Sequence, residues 1–183
     1  MDDHLTPDLI DALSGDIENT ARALNSRARK AHLSVKMSER FSSSEQRATE
    51  KDELLTPLPP KPRPRDKAVL ESLKKELKHQ GSERRDEQAG VEYRIVPKAL
   101  SDTSFFNYAR AEGKLVLVLN PDHQFYRLVY KPLLESEDQR DVALRTSIDL
   151  LLLAAARAEA LLEGKDALKV AEQLRIDWSD TLA

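Results

Sequence analysis

The run "RDVALRTSIDLLLLAAARAEALLEG", residues 140–164, limits the fold more than any other stretch of the chain. Its pattern predicts one long helix from about Asp138 to Glu163, stopped by Gly164. At 1.5 Å per residue that helix is ~35–40 Å long. Between Ile148 and Ala156 it is apolar around most of its circumference, so it has to be covered on more than one side. A sheet would cover one side, and another helix or a second subunit the other. Ile148, Leu151 and Leu152 are the candidate residues for that core or dimer face. Arg145 and Asp149, four residues apart, are expected to pair on the remaining polar face. The run contains Asp149 and is closed by Arg157, short of the ~20 residues a membrane span needs.

A small sheet precedes this helix. "VEYRIV" alternates, with Val91, Tyr93 and Ile95 on one face and Pro97 as its end. "SFFNYARAEGKLVLVLN" reads as a hairpin turning at Glu112-Gly113, where glycine supplies a positive φ. The segment Lys114 to Leu119 is apolar on both faces and belongs at the centre of an antiparallel sheet of about three strands. Asn120-Pro121-Asp122 is a turn by residue type, with Asp122 as the expected helix cap. The helix after it would turn Phe125, Leu128 and Val129 to one side, and Pro132 would kink or end it. Asn120, Asp122, His123, Phe125 and Tyr126 together form a strand-to-helix junction. A shorter helix, "KDALKVAEQLRIDWSDTLA", closes the chain, with Ile176, Trp178 and Leu182 expected to dock on the core. The fold class is α+β.

The N-terminal half reads differently. "LTPDLIDAL" opens a helix with Thr6 as N-cap and Pro7 in its first turn. Ile10, Ile17 and Leu24 recur every seven residues, a narrow coiled-coil-like seam suited to one partner helix. Residues 1–55 are therefore a helical extension. Residues 56–66, "TPLPPKPRPRD", carry five prolines between Pro57 and Pro64 and read as a stiff polyproline II spacer. Residues 67–90 hold a helix with a Leu70, Leu73 and Leu77 stripe, capped by Asp66, and then a polar loop. Residues 91–183 are the compact α+β module.

Composition narrows function. Charged residues make up 33% of the chain, but the net charge is only −3, so no long-range pull on DNA or an anionic membrane arises. There is no cysteine, hence no disulfide framework and no thiolate metal site. The acidic start "MDDHLTPDLID" lacks the basic region of a secretion signal, and the expectation is a soluble cytoplasmic protein. No phosphate-cradling, zinc-protease or nucleophile-elbow motif occurs. A catalytic His123 would need a nucleophile or second carboxylate aimed at the same point, and no nearby motif supplies one. A metal site needs further ligands, but His4, His32 and His79 all lie in the N-terminal segments. No catalytic, cofactor-binding or metal residue is assigned. Basic residues interleave with acids, and Arg63, Arg65, Lys74 and Lys75 are the candidates for nucleic-acid contact.

The order "VEYRIV", an "FF" hairpin, "LVLVLNPDHQFY" and a leucine/alanine-rich helix resembles the C-terminal region of bacterial GHKL-type ATP-binding proteins, the superfamily of gyrase B, MutL and the histidine kinases. Asn120, His123, Phe125 and Tyr126 stand where that pattern has them, whereas Gln124 replaces a proline. The "LTPDLIDALSGDIENTARALNSRARK" helix is similar to the segment after the ATPase core. The nucleotide-binding elements of the superfamily are absent, so the resemblance implies a back half without the ATPase domain and no ATP-contacting residue. The expected function is a non-catalytic protein-interaction or dimerisation module, a subunit or partner of such an ATPase. The alternatives are a nucleic-acid-associated accessory protein using the basic linker and a small hydrolase centred on His123.

Overall fold

The computed structural model describes residues 39–52, 54–59, 62–79, 91–111 and 113–183. Helix α1 is described over residues 39–52. It is followed by α2 (Pro64–His79), β1 (Glu92–Pro97), β2 (Phe106–Ala111), β3 (Lys114–Leu119), a π-helical turn (Tyr126–Tyr130), α3 (Lys131–Glu135), α4 (Gln139–Leu161) and α5 (Lys165–Thr181). All of these belong to one unit, Ser38–Ala183. The seam residues Ile10, Ile17 and Leu24 lie outside the described residues.

The three strands have the order β1-β3-β2, which puts β3 at the centre as its two apolar faces require. The sheet is mixed, not antiparallel: β3 pairs antiparallel with β2 but parallel with β1. The chain leaving Pro97 passes over to the far edge before the hairpin at Gly113 (φ 66°) brings β3 back into the gap. The register places Tyr93, Leu115 and Arg110 on one face, followed along the sheet by Ile95, Leu117 and Tyr108. The opposite face carries Val96, Val116 and Val118, packed with Leu73 of α2 and flanked by Val69, Leu70 and Leu77. The α2 stripe therefore covers one face of the sheet, and α4 touches β2 and β3. Asp66 sits in the first turn of α2, not at its cap. Its carboxylate accepts from the Arg63 N–H at 2.8 Å, reaching back as an acidic third residue does in a capping box.

An edge strand exposes unpaired backbone donors, a ready template for aggregation. Helix α1 closes this edge. The N–H groups of Val91, Tyr93 and Ile95 donate to Asp52 Oδ2 (3.0 Å), Thr49 Oγ1 (3.3 Å) and Glu45 Oε1 (2.8 Å). Positions 45, 49 and 52 share one helix face. Seven helical residues rise ~10 Å, close to the ~13 Å spanned by four strand residues, so the two ladders run nearly in step.

Thr56 and Pro59, in the stretch expected to be a spacer, are tied to the module by hydrogen bonds. Arg157 donates to the Thr56 carbonyl at 2.6 Å and Arg110 to the Pro59 carbonyl at 3.2 Å. Prolines remove donors but leave carbonyls free, and buried arginines use them.

Candidate interaction surface

Helix α4 places its polar and apolar residues the opposite way round from a surface helix. Its buried face is Arg145, Thr146, Asp149, Leu152, Leu153, Ala156, Arg157 and Ala160. Three of these are charged, and each finds a partner from distant sequence. Asp149 accepts from Ser44 at 2.7 Å and from the Tyr130 hydroxyl, and lies 3.9 Å from Arg145 Nε. Arg145 also donates to the Arg40 carbonyl at 2.7 Å. Arg157 Nε meets Asp52 Oδ1 at 2.6 Å, and the same oxygen accepts from the Tyr93 hydroxyl at 2.6 Å. Burial pushes the Asp149 carboxyl above its ordinary value, against the opposing pull of its two hydroxyl donors and Arg145. Burial and the neighbouring Asp149 carboxylate drive the Tyr130 hydroxyl far upward. The Arg145–Asp149 pair, expected on a polar outer face, is thus on the core face, where the Ser44 and Tyr130 hydroxyls and the Arg40 carbonyl supply its hydrogen bonds and Arg145 Nε makes none.

What remains outside is apolar. Leu144, Leu151 and Leu162 are 52%, 63% and 37% exposed, whereas Leu152 and Leu153 are 1% exposed. Ala143, Ser147, Ala154 and Ala158 are also exposed, and Ile148 and Ala155 are half-buried. The Ser147 hydroxyl turns back onto the Ala143 carbonyl at 2.9 Å, so it adds little polarity to the surface. From Val142 to Leu162 this face has no charged side chain: Arg145, Asp149 and Arg157 point inward, and Glu159 meets Arg175 at 2.6 Å. The residues Leu144, Ile148, Leu151, Ala155, Ala158 and Leu162 step by 4, 3, 4, 3 and 4, the heptad seam of a helix that packs on another helix. Of the expected face residues, Leu152 is core, Leu151 is surface and Ile148 lies between them. The seam spacing is readable in the sequence once the three buried charges are recognised as paired.

A second exposed set, Val170, Leu174 and Trp178 on α5, is shorter and interspersed with exposed Lys169 and Asp177. The fully buried residues of α5 are Arg175 and Ser179, while the expected Ile176, Trp178 and Leu182 are only partly covered. Ser179 Oγ accepts from Phe105 N–H at 2.9 Å, and Arg175 lies over the rings of Phe106 and Tyr108 at 5.8 and 5.6 Å. Ile176 and Leu182 are half-buried, and Trp178 touches Phe106 edge-on with 39% of its surface exposed.

The junction residues converge at the strand end. Asn120 donates to the Ser104 carbonyl at 3.0 Å and accepts from Asp122 N–H at 3.2 Å. His123, not Asp122, provides the cap: its Nδ1 accepts from Phe125 N–H at 3.1 Å. The turn centred on Asn120 shifts the cap one residue along. With Nδ1 as acceptor, Nε2 carries the proton and donates to the Ser179 carbonyl at 3.1 Å. Both ring nitrogens are therefore engaged with backbone. The following turn is π-helical, with Lys131 N–H bonding the Tyr126 carbonyl. With this wider turn Tyr126, Tyr130 and Leu134 form the buried row; of the expected face Phe125 is half-buried against Phe105, whereas Leu128 and Val129 are exposed. Pro132 starts α3 within its first turn.

Arg63 donates to the carbonyls of Ala160 (2.8 Å) and Leu162 (3.2 Å) at the end of α4 and to the Tyr108 hydroxyl at 3.3 Å. Arg65 bonds Asn107 and lies 5.5 Å from the Tyr108 ring centroid. A phosphate would have to compete with these intramolecular partners. Lys74 and Lys75 are in α2, and their side chains are outside the described residues. Among the described residues, no cluster of three or more His, Asp or Glu side chains is placed to hold a metal ion, and no helix is long and apolar enough to cross a membrane. Set against protein-family models, curated proteins and solved structures, the chain matches none.

Proposed function

We propose that the chain is a non-catalytic interaction module whose outer α4 face receives a helix. One observation carries this reading: α4 buries three charged residues and leaves Leu144 and Leu151 more than half exposed. Turning charges inward is costly unless they are paired, and exposed leucine gains nothing from water. An uncharged heptad seam of this length exceeds the scattered single apolar residues of an ordinary surface. Full burial of a leucine from complete exposure is worth ~1.5–3 kcal/mol, and Leu144 and Leu151, about half exposed, would each gain roughly half of that when a helix covers them. His123, with both nitrogens bonded to backbone, is a structural fastener in this reading. A GHKL-type ATPase core as the partner rests on the sequence resemblance alone.

The test is a Leu144→Lys/Leu151→Lys variant. It is expected to keep the wild-type circular dichroism and to unfold within ~1 kcal/mol of wild type at dilute concentration, the usual range for surface changes. It is also expected to lose whatever assembly the wild type forms. A variant that unfolds, or one that assembles like the wild type, refutes the reading.

A further inference from the structure

The outer face of α4 is divided by size. Its N-terminal half presents Leu144, Ile148 and Leu151, and its C-terminal half presents Ala155 and Ala158 before Leu162. A helix of similar make-up laid parallel would set leucine on leucine at one end and alanine on alanine at the other. The helix axes would then have to diverge, since interaxial distance follows side-chain size over ~8–10 Å. Laid antiparallel, the same two sequences match.

Resting on the docking reading above, we propose that the occupant of this face is α4 of a second copy of the chain, antiparallel, with the two-fold axis beside residue 153. In that register Leu144 meets the partner's Leu162, Ile148 the partner's Ala158, and Leu151 the partner's Ala155. The two-fold symmetry repeats each pair, giving six layers. Four of them combine one large residue with one alanine, and the outer two close with leucine pairs. A single self-complementary patch of this kind is what an isologous dimer requires. The face has no charge from Val142 to Leu162, so no like charges are brought together across the axis. The layers span ~27 Å of helix, and the contact buries on the order of 1,000 Å² in total, near the lower bound of specific interfaces. A contact of this size fits a reversible, weak dimer.

The chain has no cysteine, so single cysteines report pairing directly. In the antiparallel register, Leu144 and the partner's Leu162 are neighbours, whereas the two copies of Leu144 are ~27 Å apart. Leu144→Cys alone and Leu162→Cys alone are expected to stay uncrosslinked under mild oxidation, and their mixture to give a disulfide-linked heterodimer. Sedimentation of the wild type is expected to show a reversible dimer, weakened about 100-fold or more by a lysine at the seam in Leu151→Lys, with unchanged circular dichroism. Crosslinking of Leu144→Cys with itself overturns the antiparallel register. A wild-type chain that is monomeric at 100-micromolar-range concentrations overturns self-pairing, whether a different protein or a lipid surface then proves to cover the face. That result leaves the docking reading standing if the lysine variant above remains folded.

Discussion

Replacing Asp52 with alanine removes one carboxylate that joins three elements. Asp52 is buried at the end of α1 and accepts from Val91 N–H (3.0 Å), the Tyr93 hydroxyl (2.6 Å) and Arg157 Nε (2.6 Å). The substitution leaves Arg157, itself buried, with its hydrogen bond to the Thr56 carbonyl but without the carboxylate that neutralises it. Removing one member of a buried ion pair costs ~3–5 kcal/mol, and the orphaned Tyr93 hydroxyl and Val91 N–H lie within the same loss. That is a large share of the ~5–15 kcal/mol available to a domain. Urea denaturation followed by circular dichroism measures the loss. The double variant Asp52→Leu/Arg157→Met removes both charges together and is expected to recover at least half of it, because an apolar pair of similar volume replaces a buried ion pair at little cost. A loss below ~1 kcal/mol for Asp52→Ala, or a double variant no better than the single one, would show that α1 is not fastened through this carboxylate.

Glu45 makes stability depend on pH. Burial pushes its carboxyl up from 4.5 to about 7, outweighing the Ile95 N–H and Arg94, which pull it down. Because the folded state holds this proton more tightly, the contribution of Glu45 is fully present below pH 4.5 and fades as pH rises through about 7. Relative to Glu45→Gln, which keeps an acceptor for Ile95 N–H, the wild type is expected to lose up to ~3 kcal/mol between those limits in urea titrations at several pH values; parallel curves for the two proteins would contradict this. His123→Ala takes the acceptor from Phe125 N–H and leaves the Ser179 carbonyl with only the Leu182 N–H at 3.0 Å, and is expected to cost ~1–2 kcal/mol and to speed amide exchange in the last turns of α5. Unchanged exchange there would show that His123 does not hold α5.

Much of the fold was legible in local patterns. The span of α4, the central position of β3, the glycine turn at Gly113 and the Leu70, Leu73 and Leu77 stripe all follow from periodicity and residue type. The orientation of α4 did not. Between Ile148 and Ala156 two faces are apolar enough to be buried, and the choice depends on whether Arg145, Asp149 and Arg157 have partners. Those partners, Arg40, Ser44 and Asp52, lie 105 residues away in each case. Nothing in a local window shows that pairing. Separations of 39 to 50 residues likewise hid the clamp of α1 on β1, since "SERFSSSEQRATEKDE" reads as a polar stretch until Glu45, Thr49 and Asp52 meet a strand edge. The π-helical turn was equally hidden, because five residues of altered winding leave no periodic trace, and the buried row there is Tyr126 and Tyr130 where Leu128 and Val129 were expected.

Adjacent leucines test the orientation of α4 most directly. Leu151 is 63% exposed and Leu152 is 1% exposed. Leu152→Ala and Leu151→Ala are compared by urea denaturation at a concentration low enough to keep the chain monomeric. Leu152→Ala is expected to cost ~2–5 kcal/mol, as a core truncation does, and Leu151→Ala to stay within ~0.5 kcal/mol of wild type. Equal losses at the two positions, or a larger loss at Leu151, would mean that the apolar face assigned to a partner is part of the chain's own core.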